Sequence, residues 1–270
     1  MKLEILISTI DSGIMKVKDV LLPIRADVNY IISHQYRNDK YLTIPKELIR
    51  DDVLVSQIQG KGLSKSRNNA IRLATADICV IADDDVRYTN EYIDNIINTF
   101  QQNNNIDVAI FKIKTFEDNE EYKNYPENSY RLSKNNMHWP SSVEISFRLS
   151  KIKNHLEFDE RFGLESELPA GEEKIFIHDA LSLGLNCYFV PKYIVMHPKI
   201  STIKSFPKYS RQYVIVSGAS DARMNGYISI IKAFAVTVKY LPELIIHHKN
   251  PLAYLYERLS GSLLILKSKF

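Results

Sequence analysis

The 270-residue sequence has only two cysteines, and neither has a metal-ligating neighbour at suitable spacing. Cys79 and Cys187 each lie in an apolar run and read as reduced core residues, consistent with the cytosol. Net charge is only +3, too small to argue for a nucleic-acid partner. No long apolar run is uninterrupted. The most apolar window, Ile228 to Ile246, contains Lys232, Lys239, Pro242 and Glu243 and fails as a simple transmembrane span. The N-terminus has one Lys and an apolar stretch broken by Glu4 and ended by Asp11, too short and too acidic for a signal peptide. There is no internal repeat and no low-complexity segment. Gly60-Lys61-Gly62 lacks the third glycine of a dinucleotide fingerprint, and it fails as a phosphate-loop motif.

What is present is an ordinary globular composition, 45% hydrophobic and 25% charged, long enough for one large domain or for a domain with an appendage. Charge is unevenly placed. Residues 199–270 carry 11 Lys/Arg against 3 Asp/Glu, and the rest carries 24 against 29. A basic tail on a mildly acidic body suggests an anionic surface, with membrane lipid the leading candidate, or a basic helical appendage packed on the body. Lys232 and Lys239 share one helical face, which suits either a helix lying in a membrane interface or a packed surface helix.

The pattern alternates between strands and helices. Leu3–Ser8, Val28–Ser33, Val53–Gln59, Ile78–Ala82 and Val108–Ile113 read as strands. Ile14–Leu22, Ser64–Ala74 and Asn90–Phe100 read as helices, the last with Tyr92, Ile93, Ile96, Ile97 and Phe100 as its apolar stripe. Such an order predicts an α/β fold with a mostly parallel sheet covered by helices. Further on, Val143–Leu149, Tyr188–Val190 and Ile194–Met196 read as strands and Glu173–Leu183 as a helix. The polar segment 117–140 reads as a long loop or lid.

The chemistry centres on Ile78-Cys79-Val80-Ile81-Ala82-Asp83-Asp84-Asp85. An apolar run delivers three carboxylates to a strand's carboxyl end, where open α/β sheets bind ligands. Three adjacent acids repel one another unless a cation shares them, and a divalent metal held by one or two carboxylates usually also holds substrate phosphates. The plain alternative is a solvated turn capping the next helix. The basic stretch from Gly60 to Asn69 opens a helix, with Lys61, Lys65 and Arg67 nearby, and suits either an anion or a simple tight turn. Glu172 and Glu173 stand at a helix start, where the dipole favours a carboxylate. His197 closes a strand and is a candidate for metal or phosphate contact.

Taken in order, these motifs resemble the family 2 glycosyltransferases of GT-A fold, over about residues 1–198. Asp83-Asp84-Asp85 is similar to their Asp-x-Asp motif, Arg67-Asn68 to the Arg-Asn that opens the preceding helix, and Gly171-Glu172-Glu173 to their Gly-Glu-Asp. The resemblance implies a GT-A-like fold with a Rossmann-like nucleotide-binding half at 1–115, an acceptor-side half at 116–198 and a basic helical extension at 199–270. It implies a metal-dependent inverting transfer of a sugar from a nucleotide-diphosphate donor, UDP-sugar first, to an acceptor hydroxyl. Glu173 is then the base, with Glu172 the alternative. Asp85, with Asp83 and His197, would hold Mn or Mg. Thr9, Asp11, Lys65, Arg67, Asp83 and Asp84 would contact the donor. His138 and Trp139, in the polar segment, are acceptor candidates. A glycan or lipid-linked acceptor, no nucleic acid, surface polysaccharide or glycolipid assembly, and a cytoplasmic location at the inner face of the membrane complete the expectation. A nucleotidyltransferase of similar fold and a non-catalytic carbohydrate-binding protein are the rival readings. The Asp triplet also resembles the start of haloacid-dehalogenase-like phosphatases, but no Gly-Asp dipeptide follows.

Overall fold

A computed structural model describes residues 1–137, 140–199 and 207–268. The strands are β1 (Leu3–Ile10), β2 (Val28–Tyr36), β3 (Val53–Gln59), β4 (Ile78–Asp83), β5 (Val108–Thr115), β6 (Tyr130–Arg131), β7 (Ile145–Arg148) and β8 (Cys187–His197). The helices are α1 (Leu63–Leu73), α2 (Asn90–Gln102), α3 (Leu149–Ile152), α4 (Glu172–Ser182), α5 (Arg211–Asn225), α6 (Ile228–Ile246) and α7 (Pro251–Lys267). The strands form one sheet in the order β3-β2-β1-β4-β7-β5-β8-β6. β1, β2, β3 and β4 pair in parallel, as do β5 and β8. β7 and β6 run against their neighbours. The mostly parallel sheet expected from the sequence is therefore present, and Ile10, Asp83 and His197 end on the same edge of it.

Both faces of the sheet are buried, and β4 shows how. Ile78, Val80 and Ala82 pack with Ile93, Ile96 and Phe100 of α2 on one face. Cys79 and Ile81 pack with Ala70 and Ile71 of α1 and Phe176 of α4 on the other. The period-two alternation of a strand thus divides a continuous apolar run between two cores. Cys187 is also buried, and both cysteines are free. Burial pushes the Cys187 thiol up to about 12.

Three elements differ from the sequence reading. Residues 14–22 form no α-helix but two 3-10 turns, Asp11–Met15 and Val17–Asp19. Ile14, Val17 and Val20 are buried at intervals of three, the period of the tighter helix. The two short strands expected around Pro191 are one strand, β8, with Pro191 where its register against β5 slips. In place of a strand over 143–149, a 3-10 turn at Ser142–Glu144 leads into the shorter β7. The polar segment after β5 is tied down by its aromatics. The Tyr125 hydroxyl donates to Glu144 at 2.6 Å and accepts from the Ile113 N–H at 3.1 Å.

The basic C-terminal region is helical, and α5 and α7 cross with their backbones touching. A Cβ on Gly218 would collide with the Arg258 carbonyl, and one on Gly261 with the Ile215 carbonyl. Arg223 clamps α5 to the body, its Nε donating to Asp159 at 2.7 Å and its Nη2 to Asp179 at 2.6 Å. Lys232 of α6 pairs inward with Asp221 of α5. The outer face of α6 exposes Ile231, Phe234, Val238 and Ile245. No helix among the described residues is long and apolar enough to cross a membrane.

Candidate active site

A cleft of about 1060 Å³ opens where β1, β4 and β8 end. β1 contributes Ser8, Thr9 and Ile10 to its wall, the turn after β4 contributes Asp83, Asp84 and Asp85, and β8 contributes His197. Arg67 from α1 and Glu173 from α4 line it as well. Residues far apart in sequence thus meet because parallel strands deliver their carboxyl ends to one edge.

The three aspartates have separate partners. Asp83 accepts from Arg67 Nη2 at 3.4 Å and from the Ser142 hydroxyl at 3.3 Å. Asp84 accepts from the Thr9 hydroxyl at 2.5 Å. Burial, then the charges of Asp83 and Asp85, push Asp84 up to about 6 against that hydrogen bond. A side chain at Gly13 would collide with the Asp84 carboxylate, so the turn after β1 must be bare there. Asp85 has one buried carboxylate oxygen, Oδ1, without a hydrogen bond, and His197 Nε2 lies 3.9 Å from it. Burial and Asp83 raise the Asp85 pKa despite His197. His197 is held by its Nδ1 contact with the Pro198 carbonyl at 2.7 Å and by the edge of the Tyr122 ring.

A Mg or Mn ion suits this pair. The buried Asp85 Oδ1 makes no hydrogen bond, and a carboxylate with an imidazole is a donor set that Mn accepts. No group of three or more His, Cys, Asp or Glu converges as a metal cluster among the described residues, so further ligands would come from substrate or water.

At the back of the cleft, Arg67 is fully buried among acids. Its Nη1 reaches Glu172 Oε1 at 3.0 Å and Glu173 Oε1 at 3.5 Å. Gly171 presents both glutamates at the first turn of α4 through a left-handed φ of 99°. A Cβ there would also press within 2.7 Å of the Ser220 hydroxyl of α5. The two acids then diverge. Glu172 is completely buried, with Oε2 making no hydrogen bond, and lies outside the cleft lining, whereas Glu173 lines the cleft. Burial, reinforced by the charge of Glu172 and opposed by Arg67, raises the Glu173 pKa to about 8.

Two expected donor contacts stand apart from the cleft. Lys65 is exposed on α1 and does not line it, because residues two apart on a helix face different ways and Arg67 takes the inward position. Asp11 turns to Arg37, accepting its backbone N–H at 2.9 Å and Nε at 2.6 Å. Asp11 is pushed up by burial, but these bonds outweigh it and lower its pKa. His138 and Trp139 lie outside the described residues. The sequence reading missed Ser142 and the α5–α7 residues that line the cleft, whereas Tyr122 belongs to the polar segment read as a lid. Of the missed residues, only those of α5–α7 had a signal, in the charge of the tail.

Residues 26–159 match the family model of glycosyl transferase family 2. These residues are similar to that family. Just under half of the chain lies within the match, which includes the Asp triplet and Arg67 and stops short of Glu173. Among solved structures, Staphylococcus aureus TarS 1-349 aligns with 100% of this chain and 91% of its own, at 14% identity and a TM-score of 0.62. TarS 1-349 in complex with UDP-GlcNAc aligns with 85% of this chain and 70% of its own, at 16% identity and a TM-score of 0.59. TarS 1-349 in complex with UDP aligns with 89% and 72%, at 15% identity and a TM-score of 0.55. At such identity the likeness shows a shared GT-A-like fold. No curated protein matches this sequence.

Proposed function

We propose that the chain is a metal-dependent inverting glycosyltransferase that moves a sugar from a UDP-sugar to an acceptor hydroxyl. The observation that carries this reading is the convergence of Thr9–Asp84, Asp85–His197 and Arg67–Glu173 on one cleft. The UDP-GlcNAc and UDP complexes of TarS support the choice of nucleotide.

The β1 end and Asp84 hold the nucleoside side of the donor, and Asp83, braced by Arg67 and Ser142, stands by the ribose. Asp85 and His197 would hold Mg or Mn, which when bound supplies positive charge beside the diphosphate. Glu173 is the base. Its carboxylate takes the proton of the acceptor hydroxyl as that oxygen bonds to the anomeric carbon. The bond from that carbon to the diphosphate breaks, and the nucleoside diphosphate leaves with the electron pair. Glu172 fixes Arg67, and Arg67 in turn orients Glu173 and favours its charged form.

Residues 1–115 serve the donor, 116–198 the acceptor, and 199–270 extend the acceptor side. A glycan or lipid-linked acceptor, in surface polysaccharide or glycolipid assembly at the inner face of a membrane, agrees with the basic extension and the apolar outer face of α6. The test is a thermal-shift panel of UDP, GDP, dTDP and CDP, each with and without Mn. A ligand that binds only the native state must raise Tm. A Mn-dependent shift with UDP alone is expected. A flat panel at saturating ligand, with folded protein confirmed, would turn the reading to a non-catalytic carbohydrate-binding protein, and inverted product stereochemistry is checked by NMR.

A further inference from the structure

Helix α6 divides its surface three ways. Ser229, Ala233, Thr237 and Leu244 are buried, where α6 packs on α5 and α7. Lys232, Val236 and Tyr240, four apart, line the cleft. Ile228, Ile231, Phe234, Val238, Leu241 and Ile245 recur at intervals of three and four on the remaining side, and all six are exposed. Ile231 and Val238 are 72% and 71% exposed, so nothing among the described residues covers the stripe. A continuous apolar stripe on a helix of 19 residues, about 28 Å long, marks a contact surface. Charge says what kind. The one acid of α6, Glu243, lies off the stripe and accepts from Lys208 Nζ at 2.8 Å. Lys239 stands exposed between Val238 and Tyr240, on the border of the stripe and the cleft wall. His247, His248 and Lys249 are exposed where the helix ends. An apolar face rimmed by cations is the chemistry of a helix lying in an anionic lipid interface. A second copy of the chain fits less well. A stripe about 28 Å by about 10 Å offers about 300 Å², against about 800 Å² per partner in a stable complex. Two-fold pairing would also set the same cationic rim of both copies together.

We propose that α6 lies in the headgroup region of an anionic bilayer, with Ile231, Phe234 and Val238 at the acyl boundary and Lys239 among the phosphates, so that the cleft takes its acceptor from the membrane plane. The word acceptor rests on the transferase reading, while the lipid contact itself does not. The consequence is an orientation. Lys232, Val236 and Tyr240 lie beside the stripe on the same helix, so the α6 wall of the cleft rises directly from the lipid surface. The acceptor is then lipid-linked. Its chain stays in the bilayer, and its hydroxyl passes over the flank of α6 to Glu173. The bonds of Lys232 to Asp221 and of Glu243 to Lys208 hold α6 on the extension while its outer face is in lipid.

The experiment measures co-sedimentation of the full chain with vesicles of phosphatidylcholine, with and without phosphatidylglycerol, at low and at physiological salt. The wild type should bind vesicles containing phosphatidylglycerol about tenfold or more tightly than phosphatidylcholine alone. Ile231→Ser and Phe234→Ser change exposed side chains and should keep the wild-type Tm. Each should weaken vesicle binding about tenfold, the loss of one apolar side chain from the acyl boundary. Lys239→Gln should weaken it about fivefold and reduce its dependence on salt. No vesicle binding at low salt, equal binding to both kinds of vesicle, or equal binding by the wild type and the variants overturns the proposal. Light scattering without vesicles supplies a further test, since a self-associated wild type that Phe234→Ser splits would give the stripe to a second copy of the chain and overturn it as well. UDP affinity with Mn, measured on the same proteins, should be unchanged in all three variants. If UDP fails to bind but Phe234-dependent vesicle binding persists, the transferase reading falls and the lipid face stands. If UDP binds and the vesicles do not, the lipid face alone falls.

Discussion

Replacing Glu172 with Gln should shift the pH at which turnover begins, and replacing Glu173 with Gln should remove turnover. Both carboxylates approach Arg67 Nη1, at 3.0 and 3.5 Å, so the two oxygens lie no more than about 6.5 Å apart. At that separation and an effective dielectric of about 20, two unit charges repel by about 2.5 kcal/mol, or about two pKa units. Glu173 ionises late because burial and then Glu172 disfavour its charge. Neutralising Glu172 removes one of those causes and leaves Arg67 more available to Glu173. Both changes act in the same direction, so the acidic limb should move down by at least about one pH unit. The assay is release of UDP from a UDP-sugar, followed from about pH 5 to about pH 9. Glu173→Gln should retain UDP binding and lose about 10²- to 10⁴-fold in rate. Stability gives a second readout. A carboxyl with a raised folded-state pKa stabilises the fold below its unfolded value, near 4.5, and that contribution disappears as pH rises through the folded value. Glu173→Gln should flatten this decline. If Glu172→Gln abolishes turnover while Glu173→Gln retains it, the base has been misassigned by one residue. An upward shift of the limb in Glu172→Gln would refute the electrostatic reasoning.

Asp85→Ala should fold with an unchanged Tm without ligand, because its buried oxygen has no hydrogen bond to lose. It should erase the Mn-dependent shift with UDP, and normal turnover would remove the metal from Asp85. Arg67→Met strands two buried glutamates and should cost about 3–5 kcal/mol in urea unfolding; a loss below about 1 kcal/mol would mean that the acids are neutral without it. Burial raises Asp159, yet bonds from Arg161 and Arg223 hold it at about 2. Its contribution is present above its ordinary value of 3.8 and is lost as pH falls toward about 2. Arg223→Gln should therefore be less stable by about 1–3 kcal/mol at pH 7 and show a shallower acid decline, which circular dichroism would follow. Gly261→Val should force α5 and α7 apart and lower stability by about 1–3 kcal/mol or more, and an unchanged melt would contradict the close crossing.

Local pattern was sufficient for the half of the fold that is built locally. The β4 run announces a strand buried on both faces because it is short and ends in charge, and the α2 stripe announces its own helix. Residues 14–22 show where pattern fails. The intervals of three at Ile14, Val17 and Val20 also occur in a helical stripe, so pattern alone does not separate the two. Pro191 misled in the same way, since a register slip against β5 accommodates a proline that sequence reading takes as a strand end. In the site, strand-end acids were legible because parallel sheets place them on one edge. The separation of Glu172 from Glu173 was not, because it depends on Arg67 arriving from a helix more than a hundred residues earlier. Nor was the pairing of Lys232 with Asp221, for the tail's charge said that it was basic but not that Lys232 turned inward.

The close packing of Ser220 on Gly171 makes the extension part of the frame that holds the two glutamates. Gly171 is the residue from which Glu172 and Glu173 set out, and Ser220 occupies the space where a side chain there would lie. Asp221, next along α5, is tied to α6 and α7. The start of α4, from which both glutamates set out, is therefore shaped by the packing of the C-terminal helices as well as by the sheet. A bulkier residue at either Gly171 or Ser220 would displace the glutamates without touching them, so the extension sets the geometry of the cleft from behind.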